Sequence, residues 1–200
     1  MKYLIGIDEA GRGPLAGPVA VSAFCVLINS KHHLLKYFPD HKVRDSKKLT
    51  APVREHIYAK LVEDKVKKLI FFEVSFASSN IIDKKGISYA IRTALESSIE
   101  NLGLLAEECL VLLDGSLKAP GKYKNQETII KGDEKEAVIA LASIVAKVSR
   151  DRKMQIFDKK YPLYGFGVHK GYGTKKHYIS IRKHGLTPVH RKSYLKSVDK

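Results

Sequence analysis

The sequence predicts an α/β domain built on a mixed sheet flanked by helices. Apolar runs typical of strands alternate with longer segments that have a helical apolar period, the pattern of strands joined by helices. At the start of the chain, however, only a Gly- and Pro-rich loop separates the strand-like runs 2–8 and 18–28, which predicts an antiparallel hairpin. A sheet with both kinds of connection is mixed.

The later elements follow from capping residues and apolar spacing. A helix is expected after Thr50, its N-cap, with Pro52 in the first turn, and it should reach about Lys65. A second helix carries Ile or Leu at every fourth position, which forms one apolar face. The remaining expected elements, in chain order, are strand 69–76, helix 86–101, strand 109–113, strand 128–130 and helix 134–158.

The end of the chain has a different character. After Pro162 the pattern shortens into a Gly/Tyr-rich loop and one or two small basic helices. With 200 residues and 44% apolar content, the chain can bury a sizeable core. We therefore predict a single domain over 1–200, in which about 161–200 form a small basic helical appendage that contributes to substrate binding.

The charge balance indicates a polyanionic partner. The formal net charge is +15, and residues 161–200 contain nine Lys or Arg against one acidic residue, Asp199. Such asymmetry favours a nucleic acid over a basic surface that serves only solubility. The chain has no apolar run of membrane-spanning length and no signal-peptide pattern, and Cys25 and Cys109 are interpreted as buried thiols. We expect a monomeric cytoplasmic protein without membrane contact.

Acidic residues follow three of the predicted strands. Asp8 and Glu9 come after the first, Asp114 follows another, and Asp133 lies between a third and the longest helix. Functional groups in open α/β sheets collect at strand ends, so these carboxylates can converge on one cleft. Carboxylates without a His or Cys ligand pair favour Mg²⁺ or Mn²⁺ over zinc. Asp151 is left out, because a salt-bridged helix face explains it.

Each acidic residue also has a purely structural interpretation. Asp8 and Glu9 are consistent with simple strand termination, and Asp114 before a glycine is a common turn signal. Asp133 with Glu136 has the spacing of a capping box. Adjacent strand residues point to opposite faces, so Asp8 is the safer ligand, and Glu9 needs a twist or break to reach the same ion.

Three loops have the composition of nucleic-acid contacts. The loop Gly11-Arg12-Gly13 presents backbone groups without obstruction, and Ser46 and Lys47 lie in a polar loop suited to phosphate. In the segment 164–174, aromatic residues alternate with glycine beside Lys170, and Tyr172 is the aromatic residue least easily assigned to the core. The histidines interpreted as basic surface residues are His169, His177, His184 and His190.

Taken together, these motifs resemble ribonuclease HII, the type 2 ribonuclease H family. The resemblance covers nearly the whole chain, and six motifs in one order make it specific. The motifs are Asp8–Pro18, Asp45–Leu49, Leu113–Gly115, Lys131–Asp133, Ala142–Val148 and His169–Thr174. Ribonuclease HIII is similar but carries an additional N-terminal domain, and here the first strand begins at residue 2, which favours HII.

The resemblance implies a ribonuclease H-like fold and an endonuclease that cuts RNA paired with DNA, including single ribonucleotides embedded in duplex DNA. It implies 5′-phosphate and 3′-hydroxyl products and two divalent ions, Mg²⁺ or Mn²⁺. The implied metal-site and catalytic residues are Asp8, Glu9, Asp114 and Asp133. The implied substrate contacts are Gly11, Arg12 and Gly13 at the ribose 2′-OH, Tyr172 on the neighbouring sugar, and Ser46, Lys47 and Lys170. A non-catalytic binding domain and a metal-dependent 3′-exonuclease are the alternatives.

Overall fold

The order of the five strands is the feature that positions the site. The computed structural model describes residues 1–38, 40, 42, 46 and 48–195. Its strands are β1 (Tyr3–Ala10), β2 (Val19–Leu27), β3 (Phe71–Ala77), β4 (Cys109–Asp114) and β5 (Gln126–Ile129). The sheet order is β3-β2-β1-β4-β5. Because β1, β4 and β5 run parallel, their carboxyl ends lie at one edge, whereas β2 and β3 are antiparallel neighbours.

Helices cover both faces of this sheet. They are α1 (Ala51–Val66), α2 (Ser79–Lys85), α3 (Ile87–Glu100), α4 (Gly132–Lys135), α5 (Ala137–Lys160), α6 (Phe166–His169) and α7 (Lys175–His184). Within the described part of the chain, 3₁₀ segments span Ile28–Tyr37, Ala106–Glu108 and Lys192–Tyr194. The longest helix, α5, packs on one face of the sheet and α3 on the other. None of the helices in the described ranges is long and apolar enough to cross a bilayer.

The central strand β1 alternates between the two layers of the core. Leu4 packs with residues of α5, whereas Ile5 and Ile7 pack with residues of α3. Gly6 lies under α5, where a Cβ would collide with the carbonyl of Val138, so this glycine lets the helix cross the strand closely. By the same alternation, residue 8 faces the α5 layer and residue 9 the α3 layer.

The predicted fold class is confirmed, and most predicted elements are present within a few residues. The opening hairpin, the three later strands and the three main helices all occur. Two local predictions are wrong. β1 continues through Asp8 and Glu9 to Ala10, fully paired with β2, instead of ending at Asp8. Asp133 lies inside the short helix α4, and α5 begins only at Ala137, so Asp133 is not the N-cap of the long helix.

The C-terminal segment contains buried groups that the sequence did not indicate. Tyr164 and Phe166 are buried, as predicted for core residues under a loop. The surface interpretation of His177 and His190 is wrong, because these side chains are only 0% and 2% exposed. Both rings pack near Phe166 in a third apolar cluster that joins the segment to Leu15 and the end of α5. The basic appendage is therefore packed against the rest of the chain.

Candidate active site

A cleft of about 290 Å³ opens at the carboxyl end of β1 and β4. Its walls come from three sources: the strand ends, the loop after β1, and the inner face of α5 with Tyr172 opposite the loop. The lining residues are Asp8, Glu9, Ala10, Gly11, Arg12, Gly13, Ser46, Asp114, Ser143, Lys147, Arg150 and Tyr172. The cleft thus brings together eight of the eleven residues that the sequence analysis placed at the site.

Asp8 is the most buried of the cleft carboxylates, with 5% of the residue exposed. Its Oδ1 accepts a hydrogen bond from the backbone N–H of Glu9 at 2.7 Å, and its carboxylate also bonds to Ser143. Burial raises the pKa of Asp8 well above its usual value, and the negative charges of Glu9 and Asp114 raise it further. A carboxylate in this position is stabilised by any cation that enters the cleft.

Glu9 projects toward the other face of β1, as the strand alternation requires. Its Oε1 lies 3.2 Å from Nε of Arg12, three residues further along the chain. This ion pair ties the loop after β1 to the strand end. Glu9 and Asp8 nevertheless line the same cleft. The cleft lies at the end of the strand, so it can be reached from both faces of the sheet.

Asp114 lies next to Asp8 across the sheet. The parallel register pairs Ile7 with Leu113, so the two aspartates that follow are neighbouring positions on adjacent strands. Asp114 Oδ1 accepts a hydrogen bond from the backbone N–H of Gly132 at 2.7 Å. This bond brings the following residue, the buried Asp133, close to Asp114, although Asp133 does not line the cleft.

The donor set suits a hard divalent cation, but the carboxylates are engaged with protein partners. Glu9 pairs with Arg12, and Asp114 accepts from Gly132. Within the part of the chain that the structure describes, no three Asp, Glu, His or Cys side chains are already arranged around one point where a metal ion could sit.

The two glycines at the start of the loop after β1 have different roles. Gly11 has φ +98°, and a Cβ there would collide with the Arg150 side chain, so no other residue fits without strain. Gly13 is different, because its nearest neighbour would be Cε1 of Tyr172, 4.0 Å from the added Cβ. Gly13 and Tyr172 therefore face each other across the cleft, and Tyr172 keeps 46% of its surface exposed.

Three further lining residues come from α5 and were given no role from the sequence. Ser143, Lys147 and Arg150 are four and three residues apart, so they share one face of the helix. The Ser143 hydroxyl lies 2.8 Å from that of Ser46, and Lys147 pairs with Asp151 at 2.7 Å, which confirms the salt-bridged interpretation of Asp151. The spacing of these three polar residues in a mostly apolar helix was the signal in the sequence that could have indicated a shared face at the site.

Among the described residues, one predicted substrate contact, Lys170, does not line the cleft. Lys170 folds back so that its Nζ donates to the carbonyl of Gly167 at 2.6 Å. Lys47, like Asp45, lies outside the described residues. A second, wider groove of about 460 Å³ adjoins the cleft at Arg12, and it is lined by Arg92, Lys118 and serine hydroxyls.

Comparison with known proteins assigns the family. A family model described as "Ribonuclease HII" matches residues 5–197. A ribonuclease HII from Caldicellulosiruptor bescii is 46% identical over 197 residues, which are 98% of this chain and 88% of that protein. This chain belongs to the ribonuclease HII family. Members of this family cleave RNA in RNA–DNA hybrids, so the protein is a ribonuclease H, a hydrolase.

Solved structures agree on the ribonuclease HII fold. The crystal structure of ribonuclease H2 from Pyrococcus horikoshii matches with a TM-score of 0.72 at 22% identity, covering 98% of this chain and 97% of that one. A Bst-RNase HIII structure, in complex with Mn²⁺, matches with a TM-score of 0.67 at 17% identity, covering 96% and 64%. These matches confirm the ribonuclease H-like architecture.

Proposed function

We propose that this ribonuclease HII is a divalent-metal-dependent endonuclease that incises duplex DNA at single embedded ribonucleotides as well as cutting RNA–DNA hybrids. The observation that carries the proposal is the cleft itself. It places acidic strand ends beside a glycine loop and an exposed tyrosine, so groups suited to a metal and groups suited to a ribose face one opening. The products would be a 5′-phosphate and a 3′-hydroxyl.

In this proposal the four acidic residues hold Mg²⁺ or Mn²⁺, with two ions when substrate is bound. The residues are Asp8, Glu9, Asp114 and Asp133. Three facts support this assignment. The side chains are all carboxylates, which are preferred ligands of these ions. The pKa of Asp8 is raised by burial and by neighbouring negative charges, and a bound cation would stabilise its ionised form. A structure of the same fold, Bst-RNase HIII, is in complex with Mn²⁺. When bound, such ions supply an activated water and stabilise the leaving 3′ oxygen.

The rest of the cleft binds and orients the substrate. Gly11, Arg12 and Gly13 present backbone groups to the 2′-OH, the group that distinguishes a ribonucleotide from its neighbours. Tyr172 packs on the adjoining sugar from the opposite wall. Lys147, partly buried in the cleft, supplies positive charge for the phosphate, and the adjoining groove with Arg92 provides a path for the duplex beyond the cut. The roles of Lys47 and Lys170 stay predictions.

The test is an internally labelled DNA duplex with one ribonucleotide, incubated with Mg²⁺, with Mn²⁺ or with EDTA. We expect a single incision with either ion and none with EDTA. An all-DNA duplex should remain intact, and a continuous hybrid should be cut at several positions. A ladder from one end would indicate the exonuclease alternative, and an intact ribonucleotide duplex would contradict the proposal.

The matched variants are Asp114→Asn, in the cleft, and Glu100→Gln, at the end of α3, where the exposed carboxylate pairs with Lys122. We expect Asp114→Asn to lose nearly all cleavage while it still binds duplex, because removing a negative charge does not weaken phosphate contacts. Glu100→Gln should keep its activity. Turnover similar to the wild type in Asp114→Asn would remove this residue from the site.

A further inference from the structure

Two buried arginines lie behind the loop after β1. Arg150 on α5 is 1% exposed, and Arg191, after α7, is 0% exposed. Among the described residues, neither guanidinium forms a salt bridge with a carboxylate. A charged group buried without a counter-ion must be satisfied by dipoles, so its hydrogen bonds show what it holds in place.

Arg191 is satisfied by the loop itself. Its Nη2 donates to the carbonyl of Gly11 at 2.7 Å, its Nη1 to that of Arg12 at 2.9 Å, and its Nε to that of Gly17 at 3.0 Å. The hydroxyl of Tyr194 donates to the same Arg12 carbonyl at 3.1 Å. One rigid fork thus fixes both ends of the loop from behind.

These bonds determine which way the loop amides point. In a trans peptide the carbonyl of one residue and the N–H of the next point in opposite directions. Since the carbonyls of Gly11 and Arg12 point at the buried Arg191, the N–H groups of Arg12 and Gly13 point away from it. These residues line the cleft, so the amides are turned toward its open side.

Arg150 connects the two walls of the cleft. Its Nε and Nη2 donate to the carbonyls of Pro18 and Ala16, at 2.9 and 3.2 Å, on the loop side. Its Nη1 donates to the carbonyl of Lys170 at 3.0 Å, two residues before Tyr172. Arg150 therefore links the loop to the segment that carries Tyr172, and a backbone hydrogen bond from Leu15 N–H to the carbonyl of Gly171, at 2.8 Å, joins the same two walls.

We propose that Arg191 and Arg150 are positioning residues for ribose recognition. Arg191 aims the amides of Arg12 and Gly13 at the 2′-OH, and Arg150, together with the backbone bond from Leu15 to Gly171, holds that loop beside the segment that carries Tyr172. The inference rests on the proposed function, because it assumes that this loop recognises the ribonucleotide. It assigns to the C-terminal segment a role in specificity, beyond the unspecific phosphate affinity that its charge suggests.

The test separates recognition of the ribose from affinity for the duplex. For wild type, Arg191→Lys and the control Arg152→Lys, kcat/KM is measured on a DNA duplex with one ribonucleotide. The same duplex made only of DNA is then used as a competitive inhibitor, and its Ki reports affinity without the 2′-OH. Arg152, on α5, is a suitable control because its half-exposed side chain pairs with Glu55 of α1 and does not line the cleft.

We expect Arg191→Lys to lower kcat/KM by about tenfold to a hundredfold, because lysine keeps the charge but lacks the fork that holds three carbonyls. The Ki of the all-DNA duplex should stay within about twofold of the wild type, and Arg152→Lys should change neither value. Unchanged kcat/KM, or an equal loss in kcat/KM and in affinity for the all-DNA duplex, would overturn the proposal.

A milder variant covers the case in which Arg191→Lys does not fold. Tyr194→Phe removes one hydrogen bond to the Arg12 carbonyl and keeps the ring, so circular dichroism should show the wild-type fold. We expect a loss of about threefold in kcat/KM with unchanged Ki, and no loss would contradict the inference. If the wild type itself leaves the single ribonucleotide uncut, the proposed function fails first.

Discussion

Charged side chains are buried in two regions of this molecule, and the two regions satisfy them differently. At the end of β1, Asp8 is surrounded by other acids, Glu9 and Asp114, and its pKa is raised. Behind the neighbouring loop, Arg150 and Arg191 are surrounded by backbone carbonyls that accept their hydrogen bonds. Burial also lowers the pKa of Arg150, to about 10, which still leaves it charged at neutral pH.

The difference indicates what each region is for. In the acidic region, negative charges lie close together and burial disfavours the ionised form of Asp8. A bound cation would stabilise these charges, which is the property of a binding site. The arginine region is complete without any ligand, because its donors are directed at backbone carbonyls, and this is the property of a scaffold. The proposed chemistry and the rigid support for recognition therefore lie side by side and meet at residues 9–12, where Arg12 contacts both.

The largest expected effect tests the acidic region. Asp8→Asn should abolish cleavage, by about a thousandfold or more, since a proposed metal ligand is lost. Without metal the same variant should be at least as stable as the wild type, because it removes a buried charge that two acidic neighbours disfavour. Thermal unfolding in EDTA and in Mg²⁺ measures this.

For the wild type, Mg²⁺ should raise the melting temperature by a few degrees, and Asp8→Asn should lose most of that rise. The control is Glu100→Gln, whose exposed carboxylate pairs with Lys122 and which should respond to Mg²⁺ as the wild type does. A marked drop in the stability of Asp8→Asn in EDTA would show that Asp8 serves the fold, and the contrast between the two regions would fail.

The next effect compares two glycines of the same loop. Gly11→Ala should destabilise the protein and reduce activity, because residue 11 has positive φ and its Cβ would collide with Arg150. Gly13→Ala should leave the melting temperature nearly unchanged. It should nevertheless lower kcat/KM on a single ribonucleotide by about tenfold, because its methyl group narrows the opening toward Tyr172.

Melting curves and kcat/KM for both variants distinguish the two roles. A Gly13→Ala variant with wild-type activity would show that the gap between the loop and Tyr172 is wider than recognition requires. Conversely, a stable and active Gly11→Ala would show that Arg150 can move aside, which would weaken the argument for a rigid scaffold.

The two regions also differ in how far the sequence predicted them. The acidic region follows from local patterns: an apolar run is visible in the sequence, and the acidic residues that follow the run lie near the carboxyl end of its strand, at one edge of the sheet. The buried Arg191 could not be predicted in this way, because its partners, Gly11 and Gly17, are more than 170 residues away in the chain. A polar residue far from its partners has the pattern of a surface residue. His177 and His190 were misassigned for another reason: their hydrogen-bond partners lie within 13 residues, but a histidine in a basic segment does not reveal that its ring packs near Phe166.

The elements show the same division. Strands with strong apolar runs and helices with clear caps were predicted closely, whereas α2 and the 3₁₀ segment Ile28–Tyr37 were not, because they are short and have weak periodicity. At the site, strand position predicted Asp8 and Asp114, but the conformation of Lys170 depends on a local hydrogen bond to Gly167 that composition does not reveal.

The smallest expected effect concerns pH and the histidines beside Arg191. His190 Nδ1 accepts from the backbone N–H of Thr187 at 2.9 Å, so its proton lies on Nε2, which is 3.1 Å from Nε2 of His177. His177 in turn donates its Nδ1 proton to the carbonyl of Tyr172 at 2.9 Å. Both rings are therefore neutral, and the ring of His169 stacks on His177, 4.4 Å away.

This chain of hydrogen bonds makes stability depend on pH. Burial lowers the pKa of His190 from 6.5 to about 4, and it lowers that of His177 as well. Between these values the unfolded chain binds more protons than the folded one. The free energy of unfolding therefore falls as the pH falls from 6.5 toward 4, and it is fully retained above 6.5.

Urea unfolding at pH 7 and pH 5 measures this dependence in the wild type, in His190→Gln and in the exposed control His56→Gln. A tenfold change in a protonation equilibrium corresponds to about 1.4 kcal/mol, so we expect His190 to contribute a loss of about 2 kcal/mol between the two pH values. The pH dependence should be weaker in His190→Gln and unchanged in His56→Gln. If the free energy of unfolding changes equally with pH in all three proteins, then His190 takes up its proton without disturbing the hydrogen bonds that link it through His177 to Tyr172.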